Sequence, residues 1–286
     1  MELPEQELPS SLQIERPSCL TIAGSDSGGE AGIQADLKTI HDFNCHGLTA
    51  ITACTAQNRN EILSLNEVPA KTLVDQIKAV LSFFDPKHIK VGLLSSEDHL
   101  KIVGKYTEGK ITVIDPVLKA SSGSLFLSDN LKECFKENFF REGNTITPNF
   151  DELCWLLNVA QNCEVQTLIK KAHEAALRYK INFYVKGGHT KSPSTDFLIK
   201  PNTTVKFESK EIENTYSTHG TGCRISSAIC AAMAHGIELV KACQLAKNYV
   251  YHAIESNILS NQHSLMSSPG KAENLPMKVT YQEIQL

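Results

Sequence analysis

A chain of 286 residues with 41% hydrophobic content can bury one large core or two small ones, and it lies outside the composition of disordered chains. Its formal charge of -4 is scattered without a basic block, which argues against a nucleic-acid partner or a membrane surface. No apolar run approaches the roughly 20 residues that span a bilayer. The nine cysteines form no C-x-x-C pair and read as reduced thiols of a cytoplasmic protein.

Residues 1–17 carry acids and prolines and read as a flexible extension, not a secretory signal. A short apolar run, Cys19 to Ala23, then predicts a buried strand. It feeds a turn, Gly24 to Asp36, with four glycines in its first nine residues. Leu48 to Cys54 reads as a second strand, and Leu73, Ile77, Val80 and Leu81 recur at helical spacing. Strands follow at Ile89 to Leu94, Ile111 to Ile114 and Thr145 to Thr147. A helical face (Leu168, Ala172, Ala175, Ala176, Tyr179) precedes another strand at Phe183 to Val185. Thr218 to Cys223 opens a helix of small residues carrying Ile225, Ala228, Ile229, Ala232 and Met233. Residues 257–286 read as a C-terminal tail in which Val279 to Ile284 can add an edge strand. Strands alternating with helices predict β-α-β units and a mainly parallel sheet, and no Gly, Pro or Ser linker divides residues 18–256.

In such a sheet, ligands collect where strand C-termini turn into helices, and the glycine-rich segments fall there. The Gly24 to Asp36 turn lets backbone approach a ligand or simply flexes; it is not a Walker A loop, since no Gly-Lys-Ser/Thr follows. Gly220 and Gly222 precede a helix whose free N–H groups make an anion site. Cys223 falls in that first turn, where a helix N-terminus is expected to lower a thiol pKa from about 8.5, unless the cysteine is merely packed. Asn149 and Glu152 have the spacing of a helix cap and its third residue.

Six segments then occur in order: Gly24 to Asp36, Thr55-Ala56-Gln57-Asn58, Asp115-Pro116-Val117, Thr147 to Glu152, Lys186-Gly187-Gly188-His189 and His219 to Cys223. This set resembles the hydroxymethylpyrimidine/phosphomethylpyrimidine kinases of thiamine biosynthesis, over about residues 18–256. The resemblance implies a ribokinase-like three-layer α/β/α sandwich. It also implies ATP as phosphoryl donor, Mg²⁺, a small pyrimidine as substrate and a homodimer.

By the same resemblance Gln57 reads the aminopyrimidine edge, its amide offering donor and acceptor side by side. Asp36 and the backbone near Gly24 and Val117 line the same pocket. Gly220, Thr221, Gly222 and Cys223 form the anion hole, Lys186 meets the nucleotide phosphates, and Asn149, Glu152 and Asp115 help place Mg²⁺. His189 and His219 receive no role.

Four positions depart from the family pattern. Glu30 replaces a glycine, which is expected to add charge beside the acceptor. Arg224 replaces a small hydroxylated residue, as a further phosphate contact. Leu93 stands for methionine and Ser121 for lysine. Two alternatives stay open: a pyridoxine/pyridoxal kinase of the same fold, and a non-catalytic pyrimidine-binding regulatory protein.

Overall fold

The computed structural model describes residues 16–58, 61–118, 128–187, 194–212, 220–259 and 268–284. Its elements alternate as the sequence periods do. The N-terminal part holds β1 (Ser18–Asp26), α1 (Gly32–Asp42), β2 (His46–Gln57), β3 (Ile62–Glu67), α2 (Ala70–Phe84), β4 (His88–Val91) and α3 (Glu97–Tyr106). The middle holds β5 (Ile111–Ile114), α4 (Asp129–Phe139), β6 (Thr145–Ile146), α5 (Phe150–Leu157), α6 (Val165–Tyr179) and β7 (Asn182–Val185). Then come β8 (Ser194–Ile199), β9 (Thr204–Ser209), α7 (Thr221–Ala234), α8 (Leu239–Leu259) and β10 (Thr280–Ile284).

Among the described residues the strands form one sheet, in the order β10-β9-β8-β7-β6-β5-β4-β1-β2-β3. The six strands from β2 to β7 in that order run parallel, while β3 at one end and β8, β9 and β10 at the other pair antiparallel. Helices cover both faces. One core joins α2 to α6 to the sheet through residues such as Leu73, Leu100, Phe135, Leu153 and Ala172. The other joins α1, α7 and α8 through Ile40, Ile229, Ala246 and Tyr249. Because both faces are covered, the inner parallel strands are apolar nearly throughout, which is why they read so clearly in the sequence.

Every predicted strand is present, with the run at Ile89 ending at Val91 rather than Leu94. Sequence patterning missed β3, β8 and β9. The C-terminal segment docks: β10 pairs with β9, Gln244 donates to the Val279 carbonyl at 2.6 Å, and Asn248 holds Pro276 and Lys278. Apart from Arg16 and Pro17, the predicted N-terminal extension lies outside the described residues. Among those residues, no helix is long and apolar enough to cross a membrane.

Candidate active site

The C-terminal ends of β1, β2, β4, β5, β6 and β7 open onto one cavity of about 770 Å³, closed on one side by the start of α7 and by α8. Ser25, Thr55 and Gln57 line it on the β1–β2 side; Ser194, Ile212 and Tyr251 line it toward β8, β9 and α8. Its middle carries Asp115, Asn149, Glu152 and Lys186 on one wall and Gly220 to Cys223 on another. Gly24 and Val117 line it as well.

The glycine-rich turn is organised, not slack. Asp26 is nearly buried and accepts the N–H groups of Gly28, Glu30 and Ala31 at 2.8, 3.0 and 2.8 Å. Gly32 has φ +57, and a Cβ there would lie 2.3 Å from the Gly24 carbonyl oxygen. Gly220, the N-cap of α7, has φ +79, and a Cβ there would lie 2.0 Å from the Glu30 carbonyl oxygen. The two glycine segments therefore press backbone against backbone, an approach that only glycine permits. Motif spacing alone gives Asp26 no separate role, although an Asp inside a Gly-rich turn commonly bonds the N–H groups that follow it.

The opposite wall is charged. Asn149 and Glu152 form a complete capping box: Glu152 N–H donates to Asn149 Oδ1 at 2.9 Å, and Asn149 N–H to Glu152 Oε2 at 2.7 Å. Asn149 and Lys186 sit side by side in a parallel bridge that extends β6 and β7. Lys186 Nζ donates to Asp115 Oδ1 at 2.7 Å and lies 3.7 Å from Glu152 Oε2. Its side chain is 16% exposed, so it is no surface lysine. Burial works to discharge it, but Asp115 and Glu152 outweigh that and its pKa is raised. Burial pushes the Glu152 carboxyl up, with Lys186 opposing and Asp115 reinforcing the rise. Toward β8, Asp196 accepts from the Gly187 N–H, the Tyr184 hydroxyl and Lys247, at 2.8, 2.7 and 2.9 Å. It thereby fixes the turn just after Lys186, a link invisible in sequence.

Four expectations change. Asp36 does not line the cavity. It is fully buried on α1 and accepts from Lys90 at 2.8 and 2.9 Å, Thr21 at 2.6 Å and Ser227 at 2.8 Å. Its spacing from Ile33 and Ile40 already places it on the inward face of a helix. Cys223 is held by burial as a thiol, its pKa pushed up to about 11, because desolvation outweighs Lys90 and the backbone contact to Gly32. The lowered pKa expected from the helix N-terminus is thus reversed. Arg224 is completely buried and stands outside the cavity lining, where a phosphate contact was expected. Glu30 is buried outside the lining too, whereas Leu93 does line the cavity. Ser121, His189 and His219 lie outside the described residues.

A parallel sheet between two helical layers, with a helix N-terminus facing a lysine and two carboxylates across a cavity, defines a small-molecule kinase of the ribokinase-like class. Residues 26–267 match the profile of the family described as phosphomethylpyrimidine kinase. The chain is 37% identical over 241 residues to a hydroxymethylpyrimidine/phosphomethylpyrimidine kinase of Rhizobium meliloti (strain 1021), covering 83% of this chain and 90% of that one. It therefore belongs to the phosphomethylpyrimidine kinase family. The phosphomethylpyrimidine kinase of Clostridium difficile 630 superposes with a TM-score of 0.69 at 31% identity, over 84% of this chain and all of that one. The pyridoxal kinase of Staphylococcus aureus in complex with AMP-PCP gives a TM-score of 0.82 at 26% identity, over 94% and 99%. The two measures rank these relatives oppositely. Backbone shape is shared across the superfamily while acceptor choice lies in side chains, so the higher identity, not the higher TM-score, bears on the acceptor.

Proposed function

We propose that this protein transfers the γ-phosphoryl group of ATP to 4-amino-5-hydroxymethyl-2-methylpyrimidine, and then to the monophosphate so formed, yielding the pyrophosphate in thiamine biosynthesis. The observation that carries this reading is the continuity of the cavity from Gln57, past the Asp115–Lys186–Glu152 cluster and the α7 N-terminus, to the β8–β9–α8 wall. A pyrimidine held at Gln57 and a nucleotide on the far side meet at the Asp115–Lys186–Glu152 cluster, facing the α7 N-terminus. A cytoplasmic homodimer is the assembly that the family resemblance favours.

The chain's residues divide the work. Gln57 pairs the aminopyrimidine edge, beside Gly24, Val117 and Leu93. Gly220, Thr221, Gly222 and Cys223 offer backbone N–H groups to the charge that spreads over the transferring phosphoryl oxygens. Lys186 meets the nucleotide phosphates. A magnesium ion held largely through its own waters suits the donor set, since Asp115 and Glu152 supply two nearly buried carboxylates on the cavity wall, with Asn149 fixing Glu152. Among the described residues no group of three His, Cys, Asp or Glu side chains closes into a cage. When bound, the ion would neutralise phosphate charge. Asp36 acts beneath the site, through Lys90 and Ser227.

A coupled ATP-consumption assay with the pyrimidine, its monophosphate and pyridoxal tests the reading. Turnover with the two pyrimidines above that with pyridoxal supports it. Turnover with pyridoxal alone favours a pyridoxal kinase, and none at all a binding protein.

Two variants probe single residues. Gln57→Leu leaves the pyrimidine's polar edge unpaired, at a cost of about 1–3 kcal/mol in acceptor affinity. Calorimetric titration should show weaker pyrimidine binding with ATP binding unchanged; an unaltered pyrimidine affinity rejects the assignment. Cys223→Ala keeps the backbone N–H of the anion hole and removes a thiol that burial keeps protonated at neutral pH. We expect a modest loss, equal for the alcohol and phosphate acceptors, and no ionisation of this group in the neutral pH–kcat profile. A much greater loss with the alcohol would make Cys223 a general base, a role worth about 10²–10⁴-fold.

A further inference from the structure

The two carboxylates proposed to face magnesium already have a cation between them. Lys186 Nζ bonds Asp115 and lies near Glu152, whose carboxylate is fixed by the Asn149 N–H. The Lys186 N–H donates to the Pro148 carbonyl at 2.8 Å, and the Asn149–Lys186 bridge locks the ends of β6 and β7 in register. On the facing side, a Cβ added at Gly222 would lie 3.2 Å from Lys186 Nζ and 3.3 Å from Asp115 Oδ2. The ion pair thus looks straight at the α7 N-terminus, where phosphate charge would arrive.

An ammonium group and a hydrated divalent ion compete for the same oxygens and repel one another. Nucleotide phosphates change that contest, because they offer Lys186 new anionic partners and bring further oxygen ligands for the metal. We infer that Lys186 serves as a resident cation that bars a free divalent ion from Asp115 and Glu152 until nucleotide phosphates draw the ammonium away. The metal then enters with the nucleotide and not before it. This rests on the kinase reading above, and it assigns Lys186 a second task besides contacting phosphate.

Mn²⁺ titration of the full chain, followed by the electron paramagnetic resonance of the free ion, tests it without any turnover. The parent protein should bind Mn²⁺ weakly without nucleotide, and Lys186→Met should bind it more tightly by about tenfold or more once the like charge is gone. Lys186→Arg keeps the charge and should stay weak. Lys186→Met leaves two carboxylates without their cation, so it should melt below the parent, and Mn²⁺ alone should raise its Tm while leaving the parent's unchanged. A merely structural lysine predicts no such rescue. Equal Mn²⁺ affinity in parent and Lys186→Met overturns the inference, as does tight binding by the parent or by Lys186→Arg in the absence of nucleotide. Should Lys186→Met fold in neither buffer, the parent and Lys186→Arg titrations decide. Failure of the kinase reading shows separately, as absent ATP turnover in the parent with every acceptor.

Discussion

Gly220→Ala should lower kcat by about 10²–10³-fold, the loss seen when one donor of a preorganised oxyanion site is removed. The cause is backbone, not chemistry of a side chain. Gly220 holds a left-handed conformation as N-cap of α7, and the new methyl group would fall 2.0 Å from the Glu30 carbonyl oxygen. That oxygen cannot swing aside, since the N–H groups of Glu30 and Ala31 are both tied to Asp26. The start of α7 must move instead, and with it the N–H groups of Thr221, Gly222 and Cys223. The α7 core (Ala228, Ile229, Ala232) is remote from the change, so the variant should still fold. Steady-state kinetics beside a thermal melt checks this: a folded variant with the parent's kcat would falsify the anion-hole role.

The second large effect is on stability. Lys90→Met should cost about 3–5 kcal/mol, the range for breaking one partner of a buried ion pair. Lys90 and Asp36 are both fully buried, and their pair joins β4 to α1, while Thr21 and Ser227 bring β1 and α7 onto the same carboxylate. Removing the ammonium leaves that carboxylate charged in the interior with two hydroxyl donors. Urea unfolding should show the lower midpoint, and a Lys90→Met/Asp36→Asn double variant should recover most of it. A single variant as stable as the parent would show that the pair holds nothing together. The pH dependence has a definite sign. Burial works to discharge Lys90, but Asp36 and the other nearby acids outweigh it and its pKa is raised. Its contribution is therefore complete below the ordinary lysine range of about 10.4 and is lost only as the pH climbs through the raised value.

Much of this molecule is legible in its sequence, for reasons that particular residues make plain. The inner strands read as apolar runs because helices cover both their faces. β3 does not, because it is an edge strand whose side chains are largely exposed, leaving no alternation to find. The motif residues fall at strand ends, and the structure brings Asp115, Asn149, Glu152, Lys186 and Gly220 to Cys223 to one cavity. Nearness in sequence misplaced Asp36, although its helical phase with Ile33 and Ile40 pointed inward. Lys90 carried a signal too, a lone charge inside the apolar run from Ile89 to Leu94. The Cys223 thiol and the Arg224 side chain are different cases. Lys90, Asp36 and Asp115, which act on the half-buried thiol, come from segments far away in the chain, and neither that setting nor the complete burial of Arg224 has a local signature.

The capping box at the head of α5 has a consequence for how freely this site can be redesigned. Asn149 and Glu152 satisfy one another's backbone and so start a helix of only eight residues, while Glu152 also presents its carboxylate to Lys186. A protein engineer who exchanges Glu152 to alter ion preference therefore loosens the helix that aims it, and one who exchanges Asn149 to adjust the helix also re-aims the charge. Expression level and reaction rate would move together in any library built at these two positions. Selection for one trait alone would keep returning the same pair.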